Sequence, residues 1–176
     1  MKKCLYLLLS GLLLSGPSLG QRRYDPLSSA EVDQLRDAAQ DADMRLKLYV
    51  TFARARLDAL DKARAGAKPE DRGQVTHDGL QDFLDVYDEL DDNVDTYADR
   101  KADLRKVLKV VLDADTEFDA KLRALKQSAS ATPAEMKQYD FLLASALDTV
   151  DSSTEDHRQL LSEQEEAAKH KKGSKS

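Results

Sequence analysis

The chain has 176 residues, with 27 basic and 33 acidic side chains, a single cysteine and no tryptophan. That acidic balance argues against general nucleic-acid binding, which needs a basic footprint. A 34% charged and 6% aromatic composition suits long solvated helices better than a thick globular core.

Lys2 and Lys3 precede an apolar run over 5–19, and Ser18 and Gly20 stand at −3 and −1 of a cut before Gln21. This is the pattern of a cleavable secretory signal over 1–20, and its apolar part is shorter than the roughly 20 residues a membrane span needs. Cys4 precedes the apolar run, which argues against a lipoprotein signal. Cleavage leaves a mature chain without cysteine, so neither disulfides nor thiol chemistry are expected. Losing Lys2 and Lys3 leaves 25 basic against 33 acidic residues, a net of −8. The expected location is the periplasm or the extracellular medium.

Residues 21–27 read as an extended leader. Ser28-Ser29-Ala30-Glu31 has the form of a capping box. The apolar seam Val32, Leu35, Ala39, Ala42, Leu46, Tyr49, Ala53, Leu57, Leu60 steps by 3 and 4 with one stutter, which predicts a helix over 29–65. Gly66, Pro69, Gly73 and Gly79 make 66–79 the main connection.

A second seam runs from Leu80 through Phe83, Tyr87, Leu90, Val94, Tyr97, Lys101, Leu104, Leu108, Val111, Asp115, Phe118, Leu122 and Leu125 without a slip. With no Gly or Pro inside it, this seam predicts one continuous helix of roughly 70 Å at 1.5 Å per residue. Asp91-Asp92-Asn93 and Lys101 are where it would bend. Residues 127–131 form a second connection, and Thr132-Pro133-Ala134-Glu135 is a strong helix start. The third seam, Met136, Tyr139, Leu143, Ala146, Val150, Ser153, His157, Leu160, Gln164, Ala167, predicts a helix to Ala168, with a kink expected at 151–154. Residues 169–176 read as a disordered basic tail.

The expected fold is therefore all-α, with antiparallel coiled-coil-like helices over 28–168. It takes the form of a three-helix zigzag around a long central helix or, if that helix bends, a compact four-helix bundle. Charge suggests a register in which the basic end of helix one faces the acidic start of helix two. Around the second turn it suggests Lys109 near Asp151, Arg105 near Glu155, and Arg123 or Lys126 near Glu135.

Asp88, Asp92, Asp95 and Asp99 are candidates for a cation or a basic partner. They fail as an EF-hand, since from Asp91 the loop would need Gly where Thr96 stands and Glu where Ala102 stands. A solvated helix face is the simpler account of such a charge run. Lys101, Asp115 and His157 are polar residues on apolar seams, the pattern of layers that set register. There is no HExxH, no paired Glu-x-x-His and no GxSxG, so no cofactor, metal or catalytic constellation is expected. Tyr49, Tyr87, Tyr97 and Tyr139 read as seam residues with hydroxyls at the rim of a narrow core. Lys169, Lys171, Lys172 and Lys175 would attract an anionic envelope surface weakly. The function expected is that of a non-enzymatic exported protein that binds or spaces an unknown protein partner, or itself, through its helices. The alternatives are an envelope-polymer or membrane-surface binder and a cation binder.

Overall fold

The computed structural model describes residues 26–128 and 131–173. The signal-peptide reading of 1–20 and most of the 21–27 leader lie outside the described residues. The fold is all-α, with five helices: α1 (Ser29–Asp37), α2 (Ala42–Gly66), α3 (Arg72–Asp99), α4 (Arg105–Lys126) and α5 (Pro133–Gly173). No described helix is long and apolar enough to cross a membrane.

The first expected helix is two. Asp41 adopts an extended backbone and its carboxylate accepts from Met44 N, so the chain restarts as α2 although the seam passes from Ala39 to Ala42 without a slip; the stutter at Ala53–Leu57 falls inside α2. The Ser28–Glu31 capping box forms as expected. α1 folds back on α2, and Arg56 holds Glu31 through both terminal nitrogens.

α3 begins two turns before Leu80. Gly73 and Gly79 lie inside it instead of in a connection. A Cβ at Gly79 would stand 2.7 Å from Leu60 Cδ1, and one at Gly73 2.6 Å from the Gln138 side chain. These glycines let α3 approach α2 and α5 closely.

The continuous central helix is overturned: the chain breaks between Asp99 and Arg105. Arg100 ends α3 and Lys101 takes a left-handed φ of 60°. Lys101 N then donates to Ala98 O at 2.8 Å and Ala102 N to Tyr97 O at 3.1 Å. This pair of bonds is a Schellman stop, usually built with glycine at the left-handed position. Gln164 of α5 supplies the missing support, accepting from Leu104 N at 2.8 Å and donating to Ala102 O at 3.0 Å. The break turns the zigzag into the four-helix alternative.

In that bundle α2 runs antiparallel to α3, as Arg45–Asn93 and Arg64–Thr76 show, and parallel to α4, as Arg54–Glu117 and Lys121–Asp58 show. α5 packs parallel to α3 and antiparallel to α4. α3 and α4 therefore stand on one diagonal, α2 and α5 on the other. Phe83, Tyr87 and Phe118 meet across the first diagonal with ring centroids 5.4–6.0 Å apart. Burial of these rings and of the Leu and Val seams supplies the stability, at about 25 cal/mol per Å² of apolar area.

The expected charge register shifts accordingly. Lys109 pairs with Glu165, Arg123 with Asp151 and Arg105 with Asp103, while Glu135 takes Arg64 of α2. α5 lies in the groove between α3 and α4 and takes its register from both, so it slides about four turns from the position that a simple fold at residue 130 would impose. It stays helical through 151–154, where the Thr154 hydroxyl donates to Val150 O and Ser153 to Asp91. The helix also continues to Gly173, into the stretch expected to be a disordered tail.

Candidate functional site

Midway along the bundle the apolar core is interrupted by charge. Asp115 on α4 is fully buried, and His157 on α5 retains 3% of its exposure. His157 Nδ1 lies 2.9 Å from Asp115 Oδ2, and Tyr87 Oη on α3 donates to Asp115 Oδ1 at 2.9 Å. On its other side, His157 Nε2 lies 3.3 Å from Asp91 Oδ1. That contact is an ion pair without good hydrogen-bond alignment, since Asp91 Oδ1 is a buried oxygen without a hydrogen-bond partner. The Ser153 hydroxyl donates to Asp91 Oδ2. Three helices thus converge on one imidazole held between two carboxylates.

Burial alone would discourage a charged imidazole, but the hydrogen bond to Asp115, the close approach of Asp91 and the negative charges of both prevail and raise its pKa to about 9. Burial, reinforced by Asp115 and Asp91, pushes the Tyr87 phenol well above its ordinary value. The network is therefore an imidazolium, two carboxylates and a neutral phenol.

Its residue types resemble a Ser-His-Asp relay, but the wiring differs. The Ser153 hydroxyl is bound to a carboxylate and not to the imidazole, and an imidazolium has no lone pair with which to accept a proton or bind a metal. A crevice of about 140 Å³ between α3 and α5 reaches this layer, lined by Asp91, Val94, Asp95, Ser153, Asp156 and His157. Its mouth is acidic.

The sequence candidates are distributed as follows. Asp115 and His157 meet in the buried network. Lys101 is not in a packed seam; it forms the turn after α3. Asp88, Asp92, Asp95 and Asp99 line one exposed stripe of α3, and among the described residues no three metal-ligating side chains come close enough to hold an ion. Burial, followed by repulsion from neighbouring acids, raises the pKa of Asp88 and of Asp95, with His157 opposing it at Asp95. Lys169 and Lys171 ride on the last turns of α5; Lys175 and the Lys172 side chain lie outside the described residues. Asp91, which in the sequence marks a bending point within an acidic run, is not among the site candidates. Its position four residues after Tyr87, beside the seam, is the signal that sets it apart.

Three of the α2 cations expected to neutralise the α3 stripe pair with other carboxylates. Arg54 pairs with Glu117, Arg56 with Glu31 and Arg64 with Glu135. Asp88, Asp92, Asp95 and Asp99 form no ion pair among the described residues. Comparison with protein-family models, curated proteins and solved structures finds no match.

Proposed function

We propose that this chain is a non-enzymatic, exported helical protein that binds a basic protein partner along the acidic face of α3. The reading rests on one observation: four exposed aspartates at helical spacing, without an ion pair among the described residues, on a helix whose neighbour's Arg54, Arg56 and Arg64 pair with other carboxylates. Like charges held on a rigid helix attract a complementary surface, steer its approach and discriminate against acidic partners. A stripe on a straight helix suits an extended basic surface better than a single cation, which needs ligands that wrap around it.

The test uses a labelled octalysine peptide and fluorescence anisotropy at low salt. Changing Asp88, Asp92, Asp95 and Asp99 to Asn should weaken binding at least about tenfold, about 1.4 kcal/mol. A control with Asp148→Asn, Glu155→Gln, Glu163→Gln and Glu166→Gln makes the same net change on exposed positions of α5 and should bind nearly as well as the natural chain. Equal losses in the two variants would reduce the interaction to net charge and remove the proposed face. Calcium competing at micromolar concentration would favour the cation-binding alternative.

A further inference from the structure

At the end of the bundle where α2 stops and α3 and α5 begin, two arginines share one carboxylate. Arg64 and Glu135 are 10% and 5% exposed and lie 3.1 Å apart. Arg64 also donates to the Thr76 hydroxyl, and its guanidinium stands 5.6 Å from the centre of the Tyr139 ring. Arg72 reaches Glu135 only at 4.0 Å, through Nη1. Among the described residues its Nε is a buried donor without an acceptor, and the buried Tyr139 hydroxyl is likewise without a partner. The cluster carries two positive charges against one negative. It contains two orphaned donors of a kind that folded proteins rarely leave unsatisfied.

Beside it is an open recess of about 320 Å³ lined by Arg64, Ala65, Arg72 and Ser128. α3 starts at Arg72 with no acidic residue in its first turn, and its N-cap residue Asp71 makes no side-chain cap bond, so the first backbone N–H groups are not taken up by that carboxylate. A guanidinium edge with a free Nε presents two parallel donors, the geometry that grips a carboxylate or a phosphate through two oxygens. Arg72 keeps 26% of its exposure, room enough to turn that edge into the recess.

We infer that the Arg64–Arg72 end of the bundle is a binding site for an oxyanionic group, a carboxylate or a phosphate. The bound anion balances the excess guanidinium charge and gives Arg72 Nε its acceptor. The site is separate from the acidic stripe of α3 and does not depend on the function proposed for that face.

The test follows the arginine Nε–H resonances of the full chain by NMR. Sodium phosphate and sodium acetate are titrated separately, each against sodium chloride at matched ionic strength. A saturable shift of the Arg72 Nε–H is expected, and Arg72→Lys, which keeps the charge and loses the fork, should weaken binding about tenfold as read on the Arg64 resonance. Saturation by phosphate alone identifies a phosphoryl group as the natural ligand class. Equal or tighter saturation by acetate identifies a carboxylate. A drift that chloride reproduces, or equal affinity in Arg72→Lys, overturns the site. If Arg72→Lys does not fold, the chloride comparison on the natural chain decides alone.

Discussion

Removing the proton from His157 should loosen the whole bundle. The folded chain holds that proton with a pKa of about 9, while an unfolded chain holds it at about 6.5. Because the folded state binds the proton more tightly, the stabilisation is fully present below about pH 6.5. It is lost as pH rises towards about 9 and is absent above that. At about 1.4 kcal/mol per tenfold change in proton affinity, the interval corresponds to about 3 kcal/mol. Against the roughly 5–15 kcal/mol by which domains are stable, that is a large share. Urea denaturation at pH 6, 7.5 and 9 measures it directly. The natural chain should lose about 3 kcal/mol across the series, while His157→Gln, already weaker at pH 6, should lose much less. A natural chain that declines no more steeply than the variant would refute the account, because the imidazolium would then contribute nothing to folding.

Other expectations follow from the turns and the glycines. Gln164→Leu should cost about 1–3 kcal/mol in denaturant melts, because Leu104 N and Ala102 O lose their partner together. Lys101→Gly should stabilise by about 1 kcal/mol, since glycine adopts the left-handed stop without the Cβ penalty; a decrease in stability would show that the lysine side chain holds the turn by other contacts. Gly79→Ala should lower the melting temperature, because the new Cβ meets Leu60 inside a packed core and overpacking costs about 1–3 kcal/mol. Gly66→Ala, with nothing within 4 Å of the added carbon, should raise it.

Two of the five helix starts were legible because a cap is a local device. Ser28 reads its signal three residues away, and so does Thr132, whose hydroxyl accepts from Glu135 N. Asp41, an equally local cap, was missed because the seam appeared to run through it. The end of α3 could not be read from its neighbourhood. A lysine takes the position where glycine would have announced a stop, the 3-4 spacing passes through the break without a slip, and the side chain that secures the turn comes from Gln164 on another helix. Gly73 and Gly79 misled for the converse reason, since a glycine that permits close helix contact looks in sequence like one that permits a turn. Within the candidate site, Asp115 and His157 stood out as charges at apolar spacing. Asp91 did not, because its partner His157 becomes its neighbour only when α5 settles beside α3. The side chains of Glu117 and Glu135 mattered in the same way: they take the arginines that sequence alone would assign to α3.

The Gln164 clamp has a bearing on the order in which this chain can fold. The turn at 100–104 depends on a side chain 60 residues further along. During synthesis α3 and α4 emerge while that glutamine is still to come, and their shared seam is compatible with one straight rod. Until α5 docks, reversal rests on the packing of α4 against α2, through Arg54–Glu117 and Asp58–Lys121. A chain truncated before Thr132 should accordingly sediment as an elongated particle, and two such rods laid side by side can complete each other's cores by exchanging α4. One glutamine amide thus bears on whether the turn closes the bundle within one chain or leaves α4 open to exchange.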